Sequence, residues 1–160
     1  MKKIIVVSDT HGSAKELDKL RPLIAENDMV IHLGDGVNDI RPIFSEYPEK
    51  VYAVSGNCDF SPLFPREEEL DVESVRIFFC HGHKYGVKSG LGVLATEAKR
   101  RGCALVFYGH THQASVRQID GVTLINPGTL RCPAGEGGSY AYVVIHGRKI
   151  TPVIVGENVY

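Results

Sequence analysis

Seven side chains able to bind a divalent cation lie in five short clusters. These are Asp9-Thr10-His11, Gly34-Asp35, Gly56-Asn57-Cys58-Asp59, His81-Gly82-His83 and Gly109-His110-Thr111-His112. The candidate ligands are Asp9, His11, Asp35, Asn57, His81, His110 and His112. Carboxylates offset the charge of a cation, and neutral imidazoles suit the borderline transition metals. Asp9 and His11 are two residues apart, as are His110 and His112. On an extended segment that spacing points both side chains to one side, so each pair could reach one ion. Asp35 stands alone after Gly34, which suits a carboxylate shared by two ions. Asn57 also follows a glycine; its amide oxygen can bind a metal while its NH2 donates to a substrate oxygen. Any one of these residues alone reads as structural, whereas the ordered set reads as a metal centre.

Two carboxylates set against two divalent cations leave a local charge of about +2, which attracts phosphate. Such a pair lowers the pKa of bound water, so hydroxide is available as a nucleophile near neutral pH. Cations about 3.5–4 Å apart can clamp both the attacking and the departing oxygen of an in-line displacement. No serine or cysteine nucleophile is then required.

Most clusters follow a segment that reads as a strand. Lys3 to Val7 is a β-rich apolar run that stops at Ser8-Asp9. Ser13 and Glu16 form a capping-box pattern opening a helix to about Ala25, with Pro22 placed to kink or end it. Met29 to Leu33 predicts a second strand, and Asp39 to Glu46 a short helix with Pro42 near its first turn. Val51 to Val54 predicts a third strand. This alternation implies parallel strands with crossover helices. The second half is richer in strands, at Glu68 to Val72, Val75 to Cys80 and Ala104 to Tyr108. Two hairpins follow: Ser115 to Ile119 with Val122 to Ile125 around Asp120-Gly121, and Tyr140 to Ile145 with Ile150 to Val155. Pro152 marks the final strand as an edge. Leu91 to Arg101 predicts a helix ended by Gly102, and Gly135 to Ser139 reads as the most mobile loop. Two sheets face to face with helices outside use all of these elements. The clusters then gather at one edge, at the carboxyl ends of strands where α/β sheets bind ligands.

The 160 residues are expected to form one domain, 1–160, with enough length to bury a substantial core. A composition of 43% hydrophobic and 23% charged residues with net charge -1 excludes disorder and a general nucleic-acid-binding surface. The apolar run after Lys2-Lys3 is too short for a signal peptide, and no stretch approaches a membrane span. A cytoplasmic protein is the expectation. Cys58, Cys80, Cys103 and Cys132 lack paired close spacing and read as free thiols of a reducing compartment.

The ordered motifs Asp-x-His, Gly-Asp, Gly-Asn-x-Asp, His and Gly-His-x-His resemble the calcineurin-like metallophosphoesterase superfamily, over residues 4 to about 133. The short length and Asn126-Pro127-Gly128-Thr129 resemble its small bacterial and archaeal phosphodiesterase branch. The resemblance implies an α/β fold, a four-layer αββα sandwich of two mixed β-sheets flanked by helices. It implies one metal held by Asp9, His11, Asp35 and His112, and a second held by Asp35, Asn57, His81 and His110, with Asp35 bridging. Mn2+ is the first choice of ion, with Fe, Co, Ni and Zn also accepted by such ligands. The implied activity is hydrolysis of a small phosphodiester by a metal-bridging hydroxide. Asp35, Asn57 and His81 are then the catalytic residues, and Asn57 contacts substrate. His83 reads as a substrate contact, as a support behind the ligands or as a plain loop residue, and Arg131 as a contact to substrate phosphate or as a solvated arginine. Small members of the family often form dimers, so a homodimer is compatible with the resemblance.

Many members carry a histidine directly after the motif asparagine, where this chain has Cys58. That departure implies weak protonation of the leaving group and a preference for esters that cleave without it. Cys58 reads as a small buried space-filler. Asp59 reads as a hydrogen-bonding support for the Asn57 loop or as a cap on the turn after it. His32 reads as a satisfied core histidine, His146 as an exposed turn residue, and Glu67-Glu68-Glu69 as a solvated acidic stretch. Two other functions stay open. The superfamily fold includes a trafficking subunit of the retromer coat, so a protein-interaction scaffold is one. A phosphomonoesterase is the other, because a dianionic monoester also suits a positive site.

Overall fold

The computed structural model describes residues 1–61, 63–131 and 138–156. In chain order the elements are β1 (Lys2–Val7), α1 (Ala14–Lys19), α2 (Arg21–Glu26), β2 (Met29–His32), α3 (Val37–Glu46), β3 (Val51–Ala53), β4 (Glu67–Val72) and β5 (Val75–Cys80). A 3-10 turn at His83–Tyr85 precedes α4 (Gly92–Arg100), β6 (Leu105–Phe107), β7 (Ser115–Ile119), β8 (Val122–Asn126), β9 (Ser139–His146) and β10 (Lys149–Gly156).

The strands form two five-stranded mixed sheets, ordered β10-β9-β1-β2-β3 and β4-β5-β6-β8-β7. β1, β2 and β3 are parallel, as are β5, β6 and β8, while the outer pairings with β9, β10, β4 and β7 are antiparallel. Strand alternation assigns the layers. Ile4, Val6, Ile77, Phe79, Leu105 and Phe107 meet between the sheets. Ile5, Val7 and Val30 face outward onto Leu17, Ile24, Ile40 and Ile43 of the first three helices. Phe78, Cys80 and Val106 face outward from the second sheet onto Leu94, Ala95 and Ala98 of α4. β1 is therefore buried on both faces from Ile4 to Val7, which is why it reads as an unbroken apolar run. The result is the expected four-layer sandwich.

Several local expectations need correction. The first helix divides at Leu20, and Pro22 falls in the opening turn of α2, where its missing N–H leaves no bond unmade. Ser13 precedes α1 but its side chain makes no capping bond, so the capping box is not realised. α3 begins at Val37, which puts Pro42 in its interior instead of near the first turn. Glu67-Glu68-Glu69 is no solvated stretch: it opens β4, where Glu67 bonds Tyr85 and Arg101, and Arg101 and Arg76 both pair with Glu69. Pro152 does lie on an edge strand, and His146 is exposed at the hairpin. Residues 135–137 of the expected mobile loop, and Cys132, lie outside the described residues; Ser139 already belongs to β9. Among the described residues, no helix is long and apolar enough to cross a membrane.

Candidate metal centre

The segments that follow β1, β2, β3, β5 and β6 carry the five clusters. The ligand pairs do not lie on extended backbone, as their two-residue spacing suggested. Asp9 and His11 have φ of 55° and 43°, Asp35 57°, and His110 and His112 70° and 63°. A left-handed conformation costs a non-glycine residue roughly 1–2 kcal/mol, and it persists only where the surroundings hold it. These five are among the seven such non-glycine residues of the described chain. Close approach of the loops adds a requirement for glycine. A Cβ on Gly109 would fall 2.8 Å from Asp9 Oδ2, and one on Gly56 2.7 Å from the Asp35 nitrogen.

Two groups of donor atoms result. Asp9, His11 and His112 form one, and Asp35, His81 and His110 the other; within each group the ligand atoms lie within 4.8 Å of one another. The groups abut, because His11 Nε2 is 3.9 Å from Asp35 Oδ2 and His81 Nε2 is 3.8 Å from Asp9 Oδ1. Asp9 Oδ1 is buried and accepts no hydrogen bond, although His112 Nε2 stands 3.2 Å away and His11 Nε2 3.5 Å. A buried carboxylate oxygen left unpaired costs several kcal/mol by its lost hydration. His81 Nδ1 lies 2.8 Å from the Leu33 carbonyl, which can only accept, so Nδ1 carries the proton. The Nε2 lone pair then faces Asp35 Oδ2 at 3.2 Å and His110 Nδ1 at 3.1 Å. Converging acceptors of this kind fit a divalent cation.

Supporting bonds fix the loops. Asp59 accepts from the backbone N–H groups of Asp35 (2.6 Å), Gly36 (2.9 Å), Val37 (3.2 Å) and Gly56 (2.7 Å), tying the β2 and β3 loops together. The Cys58 N–H donates to Asp35 Oδ1 at 2.8 Å. Asp9 Oδ2 accepts from Ser8 and from the His110 N–H, and Thr129 Oγ1 donates to the Asp9 carbonyl at 2.7 Å. Sequence reasoning missed Asp39, which accepts from Thr10 Oγ1 at 2.6 Å and from the Gly12 N–H at 2.9 Å, bracing the Asp9–His11 loop. Its only signal is an acidic residue in the first turn of the helix after Gly34-Asp35-Gly36.

Burial opposes charge on Asp35, yet the hydrogen bond that His81 donates when Nε2 is also protonated, together with the Cys58 N–H, holds its carboxyl well below the usual carboxylate range. Burial also opposes a charged His81, but Asp35 and Asp9 outweigh it and raise that imidazole. His110 and His83 are lowered, by burial first and by His81 second. A lowered imidazole favours the neutral form that binds metal.

The remaining candidates are placed as follows. Asn57 is exposed at the loop whose next N–H binds Asp35, and its amide contacts Cys58 Sγ at 3.5 Å. Cys58 is exposed, so the space-filling expectation is wrong: its N–H faces Asp35 while its side chain faces solvent. The His83 ring stands 5.5 Å from that of His81 and 6.1 Å from that of His110, with Nδ1 buried and unpartnered. Arg131 is exposed, and its backbone N–H bonds Thr129 Oγ1. His32 is fully buried and bonded to Thr10 Oγ1 and the Gly34 N–H, a satisfied core histidine.

Residues 1–148 match the calcineurin-like phosphoesterase superfamily domain, and the chain belongs to that family. It is accordingly a metal-dependent phosphoesterase. It is 35% identical over 151 residues to the probable metallophosphoesterase YsnB of Bacillus subtilis, covering 92% of this chain and 87% of that protein. It is 28% identical over 182 aligned positions to the phosphodiesterase YfcE of Escherichia coli, covering 99% and 95%. Among solved structures, a predicted phosphoesterase of Streptococcus pneumoniae superposes with a TM-score of 0.81 at 28% identity, covering 96% of this chain and 88% of that one.

Proposed function

We propose that this protein hydrolyses a small phosphodiester at a dinuclear centre. Asp9, His11 and His112 hold one cation, His81, His110 and Asn57 hold the other, and Asp35 is shared. The observation that carries this reading is the pair of abutting three-residue donor groups around an unpaired buried Asp9 oxygen. When bound, the two cations supply a hydroxide nucleophile near neutral pH and neutralise charge on the phosphoryl oxygens. The chain's own part is to hold its ligands in left-handed loops, to keep the His81 proton on Nδ1, and to present the Asn57 amide to a phosphoryl oxygen. His83 and Arg131 contact substrate from the rim. Mn2+ is the first ion to test, since oxygen and imidazole ligands accept it along with Fe, Co, Ni and Zn. Cys58 is a poorer proton donor than the imidazole common at this position, which supports diesters whose leaving group departs unprotonated. The unpaired thiols of Cys58, Cys80 and Cys103 suit the cytoplasm.

The experiment is hydrolysis of bis-p-nitrophenyl phosphate beside p-nitrophenyl phosphate by metal-stripped protein resupplied with Mn2+. Mn2+-dependent cleavage that favours the diester and disappears in Asp35→Asn is the expected result. Preference for the monoester would convert the reading to a phosphomonoesterase. Failure to cleave either ester with two metals bound would favour a scaffold.

A further inference from the structure

A cavity of about 620 Å³ lies beside the His110–His112 loop. That volume falls in the range of about 300–1,000 Å³ usual for small-molecule sites. Thr111, between the two histidines, lines it and so shares a wall with the metal centre. Its other polar lining residues are Lys88, Ser89, Gln113, Ser115 and Arg117, together with the buried Tyr108. Among the described residues, no carboxylate lines it. Among the described residues, neither Lys88 nor Arg117 makes an ion pair, whereas Arg21, Arg76, Arg100 and Arg101 each do. The floor is braced: Asn126 Nδ2 donates to Thr111 Oγ1 at 2.9 Å and to the Gly109 carbonyl at 3.2 Å.

We infer that this cavity takes the second substituent of the diester and that this substituent carries a phosphate of its own, as in a phosphorylated dinucleotide. The inference rests on the diesterase reading above. Lys88 and Arg117 neutralise the extra phosphate, and Ser89, Thr111 and Gln113 hydrogen-bond to the sugar or base that bears it. A neutral substituent would leave both cations without a partner, and a cationic one would be repelled.

The test compares the dinucleotide ApA with pApA, which differs by one terminal phosphate, using Mn2+-loaded wild type, Lys88→Ala, Arg117→Ala and the double variant. Bis-p-nitrophenyl phosphate is the control ester. Wild type is expected to favour pApA by about ten-fold or more in kcat/KM, the scale of one charge-assisted hydrogen-bond set. The preference should shrink with added salt and fall to near unity in the double variant through KM, with control cleavage unchanged. A ratio near unity in wild type that still cleaves the control ester would overturn the inference and leave the diesterase reading intact. Binding to metal-free protein gives a readout independent of turnover. AMP should bind more tightly than adenosine, and the double variant should abolish the difference. Equal binding of the two by wild type would also overturn the inference, and loss of cleavage of all three esters would remove the reading beneath it.

Discussion

Two polar clusters occupy this fold, and they differ in how their charges are satisfied. In the first, Arg101 at the end of α4 bonds Glu67 and Glu97 at 2.9 Å, lies 3.7 Å from Glu69 and stacks 4.2 Å over the Phe78 ring. Tyr85 completes it by bonding Glu67. Each of these side chains has a partner, and none of the residues has positive φ. In the second, the metal-site loops hold five left-handed residues, an unpaired Asp9 oxygen and imidazole lone pairs facing carboxylates. The first cluster is complete as it stands. The second is complete only with a ligand. Density of charge therefore does not mark a site, whereas strained backbone beside unsatisfied acceptors does.

The largest effect should come from Asp35→Asn, which removes the carboxylate of one donor group that also lies 3.9 Å from His11 of the other. Diester cleavage should fall by roughly a thousand-fold, with metal content dropping in elemental analysis; full activity with two metals bound would erase the contrast between the clusters. Asp59→Ala strips one acceptor from four backbone donors. It should cost about 3 kcal/mol in denaturant unfolding and ten- to a hundred-fold in activity. The buried His32 gives a pH signature. Burial lowers it from 6.5 to about 4, so the unfolded chain takes up the proton first. Its stabilising contribution is full above about pH 6.5 and is lost as pH falls toward 4, by about 3 kcal/mol in metal-free protein. His32→Asn should flatten that part of the pH–stability profile, and an unchanged profile would assign the loss elsewhere. Gly109→Ala should cost about 1–3 kcal/mol through its clash with Ser8 and Asp9, with a matching fall in activity. Arg101→Met should cost about 1 kcal/mol, given its partial exposure, and leave diester kinetics untouched; a change in kcat there would show the two clusters to be coupled.

The sandwich was legible because apolar β-rich runs and turn residues are local signals. β5, the Asp120-Gly121 hairpin and the Pro152 edge all follow from them. The residue types of the site were legible because carboxylates and imidazoles follow strand ends. The way they converge was not. An Asp-x-His pair looks the same whether its backbone is extended or left-handed, and only contacts distant in sequence, such as Thr129 with Asp9 and Asp59 with Gly36, impose the second. For the same reason Asp39 went unnoticed, and Glu67 was misread because its partner Arg101 lies 34 residues away. Nor does the residue type announce that Cys58 serves Asp35 through its backbone N–H while remaining exposed.

The pairing of β1 with β9 has a consequence for biosynthesis. Lys2 lies opposite Ile145 in that ladder, so one edge of the first strand stays open while nearly all of the intervening chain is made. Asp9 follows that strand directly and also waits for the Gly109–His110 and Thr129–Leu130 segments to bond its loop. A ribosome-bound nascent chain would therefore expose the apolar β1 edge, a liability for chaperones to cover, and would lack a formed metal site. Competence to capture metal should arrive abruptly, once the β9–β10 hairpin has closed onto β1.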